Sequence, residues 1–263
     1  MSATKRTGST LQRWSSRLFG LVSCALVVAQ SACHVVSAQP LAMSKGNNWN
    51  GLFGKTIVVD AGHGGKDTGA RASDGSTEKS LNLAIAKRLA TDLREAGAFV
   101  VMTRTEDVDL ASDADERRRH RHMGDLQGRL RVVRKQSIDG FVSIHCNADP
   151  SPTWYGAQVL YFSRNPKGKE LAETVTEAFR TNGMHGVRSV QSNQTLYLLK
   201  RIPEPAVLVE VGFITHPTEL HRLQTARYQE LIAFSVYTGL IRYFEGASHH
   251  EVAPENGSAH RVG

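Results

Sequence analysis

His145 and Glu210 each stand at the end of a short apolar run that otherwise reads as buried strand, Gly-Phe-Val-Ser-Ile-His (140–145) and Ala-Val-Leu-Val-Glu-Val (206–211). A third run, Lys-Thr-Ile-Val-Val-Asp (55–60), enters the glycine-rich turn that carries His63. Open α/β sheets bind ligands outside the carboxyl ends of their strands. Two histidines and a glutamate delivered to that edge therefore point to a hydrolytic metal centre. The glycines flanking His63 let the backbone turn tightly and keep bulk away from a bound ion. A lone strand-end histidine is more often a hydrogen-bonded core residue, but two in one fold favour coordination. Catalytic zinc takes three protein ligands and keeps a fourth position for water. Glu78, just ahead of a helical segment, competes for the third place with Asp67 and Asp74, and spacing does not choose among them. An acidic residue there would also favour a helix N-terminus without any metal.

Glu210 has valine on both sides. Desolvation in such a run raises a carboxyl above its ordinary value of about 4.3, which suits a group that takes a proton and returns it. The competing structural role is a buried glutamate paired with an arginine such as Arg104. Side chains alternate along a strand, so His145 and Asn147 share one face while Cys146 turns to the other as a small buried hydrophobe. The Arg/His run at 117–122 reads as a solvated loop rather than a contact for an anionic polymer. His249, His250 and His260 have no framework to fix a coordination geometry. Trp154-Tyr155 divides evenly between lining a groove and packing a turn.

The intervening elements alternate. Leucine or isoleucine at 81, 85, 89 and 93 makes one apolar face of a helix over 80–96, and Gly97 is its expected stop. Strand is expected over 98–103, charged loop over 105–122, and helix over 125–136. Strand follows at 157–162, helix at 168–182, and a last helix at 226–244. Strands alternating with helices imply an α/β fold, one domain with a mainly parallel sheet covered on both faces.

Residues 1–38 hold four basic residues and no acidic ones, then the apolar run Leu18 to Ala29 and the small residues Val36-Ser37-Ala38. That is the order of a secretory signal peptide, with an uncleaved anchor as the alternative and lipidation at Cys33 a weaker one. The protein is expected outside the cytoplasmic membrane, in the cell envelope. The boundaries read as signal or anchor 1–38, linker 39–53, catalytic domain 54–245 and disordered tail 246–263. The whole chain carries +7, but 28 basic and 25 acidic residues remain without 1–38, a net +3 that gives no support to nucleic-acid binding. Of the three cysteines only Cys146 lies outside the signal, so no internal disulfide is expected in the mature chain.

Val-Val-Asp-Ala-Gly-His-Gly-Gly (58–65), Glu78 ahead of Leu81-Asn82-Leu83, Thr103-Arg104, Ser143-Ile144-His145-Cys146-Asn147-Ala148 and Glu210-Val211-Gly212-Phe213 occur in that order. Together they resemble the zinc-dependent N-acetylmuramoyl-L-alanine amidases of the Amidase_3 type, over residues 54–244. The resemblance implies zinc held by His63, Glu78 and His145, with Glu210 as catalytic acid/base. It also implies a twisted sheet of about six strands between helices, and cleavage of the amide joining N-acetylmuramic acid to L-alanine in peptidoglycan. The bare catalytic domain, the Arg-rich loop before Asp125-Leu126, and Trp154-Tyr155-Gly156-Ala157-Gln158 are most similar to the CwlD-type amidases of endospore formers. Those relatives trim cortex stem peptides ahead of muramic-δ-lactam formation, which adds the forespore intermembrane space to the cell envelope as an expected location. Asp-Ala-Gly-His stands where many relatives have Asp-Pro-Gly-His, which loosens the turn but touches no ligand. A vegetative wall amidase, another zinc peptidoglycan peptidase and a silent wall-binding protein are the alternatives; free lactyl groups among the products mark the amidase. With no wall-binding repeat in view, recruitment rests on a protein partner or on peptidoglycan itself, and a monomer is expected.

Overall fold

The computed structural model describes residues 49–250 except Pro152, with the side chains of 49, 50 and 247–250 left out. The signal or anchor, most of the linker, and residues 251–263 of the tail lie outside the described residues. Six strands form one sheet: β1 (Thr56–Ala61), β2 (Phe99–Met102), β3 (Gly140–Asn147), β4 (Gln158–Phe162), β5 (Gln191–Asn193) and β6 (Ala206–Phe213), in the order β2-β1-β3-β6-β4-β5. β2, β1, β3 and β6 run parallel, β4 is antiparallel to β6, and β5 is parallel to β4. The sheet is thus mainly parallel with a reversed edge pair. Because β1, β3 and β6 point the same way, the residues after β1 and near the ends of β3 and β6 meet at one edge.

Alternation sorts the side chains onto two cores. Ile57, Val59, Val142, Ile144, Cys146, Val207 and Val209 face the layer made by α1 (Glu78–Glu95), α4 (Pro166–Thr181) and α6 (Ala226–His250). Val58, Phe141 and Leu208 face α3 (Arg121–Arg134) and the segment around Leu198 to Ile202. In α1 the four expected apolar positions, Leu81, Ile85, Leu89 and Leu93, are all buried. Burying each such side chain is worth about 1.5–3 kcal/mol, which is what fixes this helix on the sheet. It ends in a Schellman turn: Gly97 N–H donates to the Arg94 carbonyl, Ala98 N–H to that of Leu93, and Gly97 takes φ 85°. Among the described residues no helix is long and apolar enough to cross a membrane.

Four sequence expectations need correction. The charged stretch 105–122 is not simply a loop. Ser112 and Asp115 form a capping box that starts α2 (Asp113–Arg117), and α3 begins at Arg121, four residues early. Nothing in α2 is buried, so it has no apolar period to read; caps and the ion pairs of Glu116 with Lys66 and Arg121 hold it. Strand β5 and helix α5 (Pro217–Leu223) were not anticipated, the former because Gln-Ser-Asn has no strand character. The linker expected to reach residue 53 ends in a 3₁₀ turn, Trp49–Leu52, that puts Leu52 fully into the core. The tail expected to be disordered from 246 is helical as far as His250.

Candidate metal centre and active site

The turn after β1 places His63 with φ 60°, a left-handed conformation uncommon for a residue with a side chain. Paired backbone bonds between Gly64 and Asp67 close this turn. Gly62 is required by contact: a Cβ there would lie 2.3 Å from the His145 ring. Asp67 Oδ2 sits 2.8 Å from His63 Nδ1 and fixes the ring, leaving Nε2 aimed at Glu78 Oε1, 3.2 Å away.

Glu78 opens α1 and is buried. Its Oε2 accepts from Ala70 N–H at 2.9 Å; its Oε1 accepts from the Asn82 amide at 3.2 Å and from Cys146 N–H at 3.1 Å. His145 Nδ1 approaches the same Oε1 at 3.0 Å. One donor atom each from His63, Glu78 and His145 therefore falls within 4.8 Å of the others, an arrangement able to hold a metal ion. Two imidazole nitrogens and a carboxylate oxygen are the donor types of open hydrolytic sites. Burial would raise the Glu78 pKa, but the two histidines override it and hold the carboxyl well below the usual range. Burial would likewise depress His63, yet Glu78 and Asp67 raise it to about 9.

Glu210 is the register partner of His145 across parallel strands β3 and β6, so both side chains leave the sheet on the same face. Its Oε2 is shielded from solvent and has no hydrogen-bond partner among the described residues. Burial raises its pKa; His145 pulls it down and Glu78 pushes it further up. The arginine-paired role weighed above is not what the structure shows. Arg104 instead donates to the carbonyls of Ala61, Gly62, Lys79 and Glu106 at 2.8–3.0 Å, bracing the His63 turn.

Of the competing acids, Asp67 holds His63 from behind, and Asp74 bonds Gln224 and Ser76 instead. Cys146 is buried in the helix-covered core, its thiol pKa pushed up by burial. The Arg/His run divides: Arg121 pairs with Asp109 and Glu116, while His122 lies 3.8 Å from Asp67 and lines a cavity of about 400 Å³ beside His145. Met123, Leu126, Leu196 and Leu208 make that cavity largely apolar. Trp154 and Tyr155 are exposed. His249 and His250 fall on α6, their side chains outside the described residues together with all of His260.

Sequence reasoning missed the network behind the site. Asp60, buried at the end of β1, accepts from Thr103 Oγ1 (2.7 Å), Ser143 Oγ (2.5 Å) and Arg129 Nη1 (2.6 Å). Arg129, also buried, donates further to the carbonyls of Ala61 and His63 and to Asp125. The available signal was Asp125 and Arg129 spaced i, i+4 within an amphipathic helix, which reads as an ordinary surface pair.

Residues 57–242 match the family model Amidase_3, N-acetylmuramoyl-L-alanine amidase. The germination-specific N-acetylmuramoyl-L-alanine amidase of Bacillus subtilis is 32% identical over 88% of this chain and 94% of its own length. N-acetylmuramoyl-L-alanine amidase LytC of the same organism is 32% identical over 74% of this chain but only 36% of its own. Among solved structures, the CwlD amidase from Clostridioides difficile, in complex with the GerS lipoprotein, superposes with a TM-score of 0.70 at 35% identity, covering 73% of this chain and 99% of that one. With the motif order, the sheet and the His-Glu-His cluster in agreement, the chain belongs to the Amidase_3 family and is an N-acetylmuramoyl-L-alanine amidase of peptidoglycan.

Proposed function

We propose that this amidase is zinc-dependent, with His63, Glu78 and His145 as the metal ligands and Glu210 as the acid/base. The observation that carries the reading is the convergence of the three donor atoms with Glu210 beside His145 in register. Zinc, when bound, supplies Lewis acidity toward the amide carbonyl and makes the attacking water more acidic. The chain's residues do the rest. Asp67 fixes the tautomer of His63. Ala70, Asn82 and Cys146 hold Glu78 in one rotamer, leaving little to reorganise on metal uptake. Glu210, raised by burial, takes a proton from the attacking water and returns it to the departing nitrogen of L-alanine. The bond broken joins the lactyl carbonyl of N-acetylmuramic acid to that nitrogen.

Glu210→Gln tests the assignment. Acid–base groups contribute about 10²–10⁴-fold in rate, and a residue serving both transfers sits at or above the upper end. Muropeptide release should fall by that factor while zinc content is kept. Melting temperature should not drop, because the substitution neutralises a carboxylate with an unpartnered buried oxygen. A folded, zinc-loaded variant that works at the parent rate removes Glu210 from the mechanism.

The setting proposed is the spore envelope, where stem-peptide removal precedes muramic-δ-lactam formation. Support comes from the match over 94% of the length of the germination-specific relative, against 36% of that of LytC. Export by residues 1–38 belongs to the same reading, and N-terminal sequencing of the native protein checks it: a start near Gln39 is expected. The lipoprotein bound to the Clostridioides difficile relative supports an envelope protein as partner here. A deletion strain whose cortex retains muramic-δ-lactam would sink the spore role and favour vegetative wall turnover.

A further inference from the structure

Arg188 lies on the segment between α4 and β5. Its guanidinium covers the Trp154 ring at 4.8 Å and the Phe213 ring at 5.7 Å. It is half-buried, and no carboxylate pairs with it among the described residues. Glu219, in the same neighbourhood, is consumed by the backbone N–H groups of Gly156 and Phe213 at 2.7–3.0 Å. An arginine placed over two aromatic rings has lost part of its freedom in advance, and among the described residues no side-chain acceptor takes up its donors.

Two links bring this group to the catalytic edge. Phe213 lies three residues beyond Glu210 on β6, roughly 10 Å at about 3.3 Å per residue. Gln158 is the cross-strand partner of Glu210, so it shares that face, and its amide donates to the Ser189 carbonyl at 3.3 Å. The residue next to Arg188 is thereby tied to the Glu210 side of the sheet. Arg188 N–H, bonded to the Ala157 carbonyl at 2.8 Å, holds the segment down a second time.

We propose that Arg188, seated on Trp154 and Phe213, is a substrate-specificity residue that clamps a stem-peptide carboxylate lying beyond the scissile amide. The inference rests on the amidase reading. Stem peptides carry an acidic residue after L-alanine, and a carboxylate is the group a guanidinium receives in two parallel hydrogen bonds. A distal contact of this kind positions the amide and does not enter the chemistry.

The test compares two disaccharide muropeptides identical except that the carboxyl of the residue after L-alanine is free in one and amidated in the other. The parent protein should have the lower KM for the free acid. Arg188→Ala should raise that KM about 10- to 100-fold, as expected for a lost charge-assisted hydrogen bond, with kcat changed little. On the amidated substrate the same variant should match the parent. Arg188→Lys, which keeps the charge but not the fork, should recover part of the loss and guards against a folding defect in the alanine variant. Equal losses on both substrates would mean that Arg188 only packs Trp154, and the clamp is wrong. Unchanged kinetics on both would overturn it too, leaving Arg188 and Trp154 to a docked protein. A parent protein that cleaves neither substrate overturns the amidase reading, and the clamp with it.

Discussion

At the scale of single residues, His63 couples metal binding to pH. Burial opposes a charged ring here, but Glu78 and Asp67 outweigh it and raise the pKa to about 9. The sign follows. In the metal-free protein the protonated ring adds stability that is fully present below the unfolded value of about 6.5 and is lost as pH rises through about 9. A metal needs the unprotonated nitrogen, so between those values it must displace a proton. Apparent zinc affinity should rise roughly tenfold per pH unit from 7 toward 9. Competition titrations across that range check it, and calorimetry in two buffers of different ionisation enthalpy should show one proton released. Affinity that stays flat from pH 7 to 8.5 would mean that His63 is already neutral. Little of this coupling was legible beforehand. His63, His145 and Glu210 stood out because polar groups at strand ends interrupt an apolar pattern. Glu78 did not, since a glutamate opening a helix looks the same whether it serves the dipole or a metal.

At the scale of elements, α3 is held to the site by charge as well as by its apolar face. Arg129 joins Asp125 on its own helix to Asp60 on β1 and to the carbonyls of Ala61 and His63. Burial alone would raise Asp60; Arg129, Ser143 and Thr103 reverse that and hold it below its ordinary value. Its stability contribution is therefore present above about pH 3.8 and lost as pH falls through the lower folded value. Arg129→Met removes one partner of a buried pair, which typically costs about 3–5 kcal/mol. Urea unfolding should show that loss at pH 7, and the double variant Asp60→Asn/Arg129→Met should recover part of it. Zinc affinity should fall in the single variant, since the His63 carbonyl loses its anchor. A single variant as stable as its parent would mean that the network is energetically neutral. Apolar pattern made β1, β3, β6 and the long helices legible because each buries a clear apolar face. It missed α2, α5 and β5, whose positions are set by caps and neighbours rather than by periodicity. Arg129 escaped for a related reason: nothing local distinguishes a buried i, i+4 pair from a solvated one.

At the scale of the whole molecule, the domain begins before the point that composition suggests. The polar stretch leading to residue 53 hides Leu52, which is fully buried with α1 and α6 residues in the larger core. The 3₁₀ turn around it packs closely on α6, where a Cβ at Gly51 would lie 3.0 Å from the Glu245 side chain. A chain starting at Gly54 therefore forfeits a core leucine and leaves its place beside α6 unfilled. Leu→Ala changes in cores cost about 2–5 kcal/mol. For a domain of this size each kcal/mol lowers Tm by about 2–4 °C, so the truncated protein should melt several degrees or more below one starting at Gly46. Leu52→Ala in the full chain should account for most of the difference, because Leu52 is fully buried in the core whereas Phe53, which follows it, is exposed. The turn precedes β1, whereas the His-Glu-His cluster lies beyond its far end, so the defect sits at the opposite edge of the sheet from the site. Zinc content and muropeptide release per folded molecule should accordingly match the parent at temperatures well below the lowered midpoint. If the chain starting at Gly54 melts with the longer one, the boundary returns to 54 and the burial of Leu52 contributes nothing. If it melts lower but also loses zinc while folded, the turn reaches the catalytic edge through α1, and stability and activity are not separable in this fold.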